Sequence, residues 1–229
     1  MTTTTQAPSA RDALADLPLG QIALQLPGAT AIFRRHKLDF CCGGTASLRD
    51  AARERGMDTG GILEELHRLA TGAVDAPTEP DALIEHILTR FHDTHRRELP
   101  ELIVLAQRVE ARHEAHPDVP RGLAEMLQEI AAELESHMQK EERILFPLMR
   151  AGGAPMIVHP IGVMQHEHIE HGERLRRLEE LTHDHVPPAD ACTSWRALYA
   201  GTRKLVDDVM QHIHLENNVL FPQFVPVDD

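Results

Sequence analysis

The sequence predicts an all-α protein, an up-down-up-down four-helix bundle preceded by a small helical domain. Three observations carry that prediction. Leu, Ala, Glu and Arg dominate the 229 residues, and these are good helix formers. Runs of β-branched residues bounded by turn signals are missing. Finally, four long helical segments are joined by short connections, which makes neighbours antiparallel, and one segment recurs. His137, Glu141, Leu145, Phe146 and Pro147 match His212, Glu216, Leu220, Phe221 and Pro222 in a single register.

Residues 1–17 read as a disordered tail, without the basic-then-apolar pattern of a secretory signal. Residues 18–71 form the small helical domain. There Pro27 opens a helix through Ala29, Ile32 and Phe33. Gly43 and Gly44, which allow positive φ, break the chain after Asp39, Phe40, Cys41 and Cys42. Thr45 is the expected N-cap of a helix reaching Gly56, and a short helix covers Ile62 to Leu69. The stretch 71–80, TGAVDAPTEP, is a linker by composition.

The bundle occupies 80–225. Its first segment starts near Pro80, passes Ile84, Ile87, Leu88 and Phe91, and reaches about Arg112, with Pro100 expected to kink or split it. The second starts at Pro120, a favoured first helical position, and runs to Met149, where Gly152 and Gly153 end the hairpin. The third runs from about Pro155 to Leu181 with Pro160 inside it. Pro187 and Pro188 mark the next turn, and the fourth runs from about Asp190 to Phe221. The first and third segments share a His-x-x-His pair, His92/His95 and His168/His171. The chain therefore reads as two copies of a helical hairpin.

A formal net charge of −13 disfavours nucleic acid and anionic membrane as partners. No stretch approaches the roughly 20 apolar residues that span a bilayer. Three cysteines, two of them adjacent, make no disulfide framework and point to a reducing cytoplasm. The anomaly is 16 histidines.

Residues four apart lie on one face of a helix, so His137 and Glu141 point together, as do His212 and Glu216. Height can be compared because the helical rise is constant. His92 lies about 31 Å before the first hairpin turn and His137 about 26 Å after it. His168 and His212 flank the second turn at similar distances. One histidine per helix and two glutamates thus converge on one layer: His92, His137, Glu141, His168, His212 and Glu216. His113, about 30 Å from that layer, is excluded. The layer holds no thiolate, which disfavours zinc–sulfur and iron–sulfur sites, and mixed imidazole–carboxylate ligation suits iron or manganese. Zinc and manganese stay open on sequence alone. The best fit is two non-haem iron ions per chain, with two histidines on each, both carboxylates bridging, and room for an oxo or hydroxo bridge and a small ligand. Glu133 and Asp208, one turn before His137 and His212, are candidates to accept the second imidazole proton. Glu167 and His166, beside His168, are candidates to handle protons.

Other residues have blander readings. The Leu-Phe-Pro segments read as core followed by a helix end. His95 and His171 either replace a neighbouring ligand or sit in the core or at the surface. His116, His183 and His185 lie at turns and read as solvated. Cys192 reads as helix-start packing. Cys41 and Cys42 are either small residues at a glycine turn or a reactive thiol pair.

Taken together, these motifs resemble the repair-of-iron-centres family, in which an Asp-aromatic-Cys-Cys-Gly-Gly domain precedes a haemerythrin-like di-iron domain. The matching residues include Pro18 to Gly20, Asp39 to Gly44, Phe91 to Asp93, His95-Arg96, Ser136 to Met138, Lys140 to Glu142, Ile144 to Pro147, Glu167-His168 and Leu215 to Pro222. The resemblance implies a cytoplasmic stress protein that repairs iron–sulfur clusters damaged by nitric oxide or oxidants. It places the family's ligands on the same six residues and implies damaged iron–sulfur proteins as partners, with a homodimer allowed. Cys41 and Cys42 would contact the partner or its cluster, and Glu167 would act near the site. Two other activities compete with repair: nitric oxide reduction to nitrous oxide, and haemerythrin-type binding or sensing of nitric oxide or oxygen.

Overall fold

A computed structural model describes residues 14–26, 29–40, 45–69, 77–153 and 155–225. Pro27, Cys41, Cys42, Gly43, Gly44, residues 71–76 of the linker and most of the N-terminal tail lie outside the described residues. Within them there is no strand, only an isolated antiparallel bridge between Pro18 and Ser47. No helix among them is long and apolar enough to cross a membrane. The chain forms two compact units, Met1–Ala76 with His214–Val219, and Pro77–Ile213 with Leu220–Asp229.

In the first unit, α1 (Leu19–Gln25), α2 (Ala29–Arg35), α3 (Leu48–Glu54) and α4 (Thr59–Leu69) bury Leu19, Ile22, Phe33, Leu48, Ile62 and Leu66. Lys37 adopts φ 52° and lets the Leu38 amide return to the Phe33 carbonyl at 2.7 Å, which closes the end of α2. The N-cap of α3 is Ser47 rather than Thr45, its Oγ accepting from the Asp50 amide at 3.1 Å. The reason is tertiary. Leu19 donates to the Ala46 carbonyl and Leu48 to that of Leu17, so the backbone up to Ser47 is held by another segment. Helix α4 begins ahead of Ile62, where Asp58 accepts from the Gly60 and Gly61 amides at 2.9 and 3.1 Å. Phe40 packs between Phe33 and His214, with ring centroids 5.9 Å from each.

The second unit holds the helical bundle, apart from His214–Val219 at the end of its last helix, which count with the first unit. Its first hairpin comprises α5 (Pro80–Ile87), a π-helical turn (Leu88–His92) and α6 (Asp93–Arg112), then α7 (Leu123–Lys140), a second π turn (Glu141–Leu145) and α8 (Phe146–Arg150). The second hairpin comprises a 3₁₀ turn (Pro155–Ile157), α9 (Val158–Leu181), α10 (Thr193–Leu215), a third π turn (Glu216–Leu220) and a 3₁₀ turn (Phe221–Gln223). Pro100 neither splits nor ends α6; the irregularity falls earlier, at Leu88–His92. Helix α7 starts at Leu123, not at Pro120, because Gly122 takes φ 85° and Glu110 of α6 caps the entry, accepting from the Ala124 amide at 2.7 Å. Pro147 does not stop its helix either. It sits in the first turn of α8, just after a π turn, where a missing N–H costs little. Gly152 and Gly153 close the hairpin at φ 89° and 69°, returning their amides to Met149 and Leu148.

His185 departs from the reading as a solvated turn residue. It is buried, with Nδ1 at 3.1 Å from Thr182 Oγ1 and 2.9 Å from Thr202 Oγ1. The left-handed run His183, Asp184 and His185 turns the chain back sharply and carries this ring inward. His183 is exposed, as expected, whereas His116 is partly buried and pairs with Asp190 at 3.1 Å.

Candidate metal centre

The three π turns each carry a residue of the predicted layer: His92 ends the first, Glu141 begins the second and Glu216 begins the third. A π turn widens the helix by one residue and is frequent at functional sites. His168 instead lies in the regular helix α9. All six predicted residues are buried, none more than 1% exposed.

The structure brings these six together as two groups of four that could hold a metal ion. One comprises His92, Glu141, His212 and Glu216; the other comprises His137, Glu141, His168 and Glu216. In each group the donor atoms lie within 4.8 Å of one another, and both groups use both carboxylates. Glu141 divides its oxygens between them. Its Oε2 lies 3.3 Å from His92 Nε2 and 3.9 Å from His212 Nε2, while Oε1 lies 3.2 Å from His137 Nε2. A carboxylate so placed could serve a cation at either histidine pair.

The imidazole pairs fit a cation quantitatively. His92 and His212 approach through Nε2 at 3.3 Å, and His137 and His168 at 3.1 Å. Two nitrogens each about 2.1 Å from one metal are about 3.0 Å apart at a right angle and about 3.4 Å apart at the tetrahedral angle. Tautomers agree with this. Carboxylates only accept, so His92 Nδ1–H donates to Glu142 Oε1 at 2.7 Å and His137 Nδ1–H donates to Glu167 Oε2 at 2.8 Å. Each ring therefore turns an Nε2 lone pair to the centre. Burial holds His212 well below the usual histidine range, which keeps it neutral and able to donate. Two fully buried carboxylates ringed by imidazoles are costly in a low-dielectric interior unless cations neutralise them. The residues present fit a pair of metal ions.

The partners of these imidazoles differ from those expected. Glu133 bonds Arg174, and Asp208 bonds Arg90 at 2.6 Å and Lys204 at 2.7 Å, so neither receives an imidazole proton. Glu167 takes that place on His137, and Glu142 plays the same part for a different imidazole, His92. Glu142 also accepts from Arg96 Nη1 at 2.8 Å, and Glu167 from Lys140. The hydrogen bond from His137, with help from Lys140, pulls the Glu167 carboxyl down to about 2. His166 is exposed and lies 3.7 Å from Glu170, away from the layer. His95 and His171 are buried but belong to neither group of donors. Burial pushes each down to about 3, and each packs on a member of the layer, His95 against His212 at 5.8 Å and His171 against His137 at 4.9 Å. His113 lies elsewhere, 3.2 Å from Cys192 Sγ and against Trp195.

Sequence reasoning missed the role of the repeated phenylalanines. Phe146 stacks on His92 and Phe221 stacks on His168, each at 5.9 Å between centroids. The signal was present, since both follow the motif glutamate by five residues, but only the folded hairpin shows what the ring covers.

Fold and site together define a helical-bundle protein with a buried histidine–carboxylate cation centre. Residues 83–224 match the family described as the haemerythrin HHE cation-binding domain, and residues 15–70 match a domain of unknown function, DUF542, also called ScdA_N. Similar relatives are named iron-sulfur cluster repair protein YtfE. The one from Cronobacter sakazakii is 48% identical, covering 92% of this chain and 97% of its own. Those from an Enterobacter species and from Citrobacter koseri are 47% and 46% identical, covering 92% and 91% of this chain and 97% and 96% of their own. The chain belongs to the haemerythrin HHE family and, within it, to the family of these YtfE-type proteins.

Proposed function

We propose that this chain is a cytoplasmic di-iron protein that repairs iron–sulfur clusters damaged by nitrosative or oxidative stress, by supplying iron. Residues 80–225 hold the metal pair, and residues 18–71, with Cys41 and Cys42, meet the damaged protein. One observation carries the two-metal reading: both groups of donors use Glu141 and Glu216, and Glu141 turns one oxygen to each histidine pair. His92 and His212 hold one iron, and His137 and His168 the other. When bound, the pair would supply redox-active iron for transfer. Glu142 and Glu167 orient His92 and His137 and hold their Nδ1 protons. The stacked Phe146 and Phe221 keep water off one face of His92 and His168. The names of the relatives support repair as the task of this iron.

The test has two parts. Mössbauer spectroscopy with metal analysis is expected to find two coupled irons per chain; a single ion sinks the two-metal reading. Iron-loaded protein is expected to reactivate a dehydratase with a damaged cluster, while metal-free protein is not. Equal reactivation by both, or none by either, overturns repair by iron supply. Nitrous oxide formed catalytically without reactivation would assign nitric oxide reduction instead.

A further inference from the structure

Two cations flank the metal layer through the carboxylates that hold imidazole protons, and they do so differently. On the His92 side, one oxygen does two jobs: Glu142 Oε1 accepts from His92 Nδ1 at 2.7 Å and from Arg96 Nη1 at 2.8 Å. Arg96 is shared onward with Glu135, through Nε at 2.9 Å and Nη2 at 3.3 Å. On the His137 side the work is divided. Glu167 Oε2 accepts from His137, and its other oxygen, Oε1, accepts from Lys140. Arg96 therefore competes with the imidazole for a single oxygen, whereas Lys140 acts through the far oxygen.

A carboxylate pulling on Nδ1–H makes an imidazole a stronger donor and favours the more highly charged metal ion. A cation drawing on the same oxygen weakens that pull and favours the less charged ion. We propose that Arg96 and Lys140 are positioning cations that make the two metal positions unequal, so that the ion held by His92 and His212 is reduced first and becomes the exchangeable one. The proposal rests on the two-iron reading above. Arg96 lies on α6, Glu135 and Lys140 on α7, Glu142 in the π turn that follows and Glu167 on α9, so the asymmetry comes from tertiary packing rather than from the repeated motif.

The test is a redox titration of the full-length, iron-loaded protein followed by Mössbauer spectroscopy, on the wild type, Arg96→Gln, Lys140→Gln and Glu135→Gln. Two resolved one-electron steps are expected in the wild type. In Arg96→Gln the ferrous-to-ferric ratio at the wild-type first midpoint falls about tenfold, which is about 59 mV for a one-electron couple. Lys140→Gln moves the second step, and by less. Glu135→Gln returns the whole Arg96 charge to Glu142 and moves the first step the opposite way. Unchanged midpoints in Arg96→Gln with two irons bound overturn the proposal, as does an equal shift of both steps, which marks a general charge effect. If Arg96→Gln loses iron, Glu135→Gln decides by the sign of its shift. Fewer than two irons in the wild type overturns the two-iron reading itself, a separate result.

Discussion

In the first hairpin the residue one turn before the motif histidine is Glu133, partly exposed and bonded to Arg174; in the second it is Asp208, 4% exposed and bonded to Arg90 and Lys204. The motif is in the same register in both. The phenylalanines of the repeat kept one task, since Phe146 and Phe221 each stack on the histidine of the partner helix in their own hairpin. The acidic positions did not. The metal layer differs again, because each group of donors takes one histidine from each hairpin: His92 with His212, and His137 with His168. A duplicated hairpin thus builds a centre that neither copy contains. The rings stacked on the layer stayed alike, and the acidic positions one turn before the motif histidines diverged.

The largest expected effect separates a shared donor from an unshared one. Glu141→Ala removes a carboxylate common to both groups, so iron content by metal analysis should fall from two to near zero per chain. His92→Ala touches one group and should leave about one. Equal loss in both variants breaks the assignment of one group to each metal.

Next in size is the stacking that both hairpins kept. Phe146→Ala and Phe221→Ala should each cost about 3 to 5 kcal/mol, measured by denaturant unfolding of the metal-free protein. A cost confined to one of them would show that the repeat is symmetric in sequence only.

The diverged acidic pair gives the third prediction. Asp208→Asn should cost about 2 kcal/mol, below the value for a wholly buried pair because Arg90 and Lys204 are partly in solvent. Glu133→Gln should cost less than about 1 kcal/mol. The Asp208 effect also has a pH signature. Burial raises its carboxyl, but Arg90 and Lys204 outweigh burial and hold it below the ordinary carboxylate range. A depressed folded value contributes stability above the unfolded pKa, about 3.9, and loses it as pH falls through the folded one. The gap between wild type and Asp208→Asn should therefore close below about pH 4. A gap that stays constant to lower pH breaks the ion-pair account.

The smallest test concerns the first unit. Ser47→Ala should cost about 1 kcal/mol through the lost cap of α3, and Thr45→Ala next to nothing.

Much of this was legible before folding. Helical periodicity, the duplicated spacing and the constant rise per residue sufficed to choose six residues, His92, His137, Glu141, His168, His212 and Glu216, and to set His113 aside. Those are local or one-dimensional quantities, and a helix converts them into height and face without knowledge of its neighbours. The errors share a cause. Pro120 and Pro147 are local signals in the sequence, yet Gly122 with Glu110, and a π turn before Pro147, decide where the helices begin and continue. Glu133 and Asp208 were placed by spacing, but which carboxylate reaches an imidazole proton depends on how far one helix is turned against the next. The chain alone thus determined its helices, its repeat and the donors on their inner faces. Only the packed bundle decided which histidines pair, that Glu141 faces both pairs, and that Glu142 with Arg96 and Glu167 with Lys140 stand behind them, because those contacts join residues from different helices whose relative rotation no local spacing encodes.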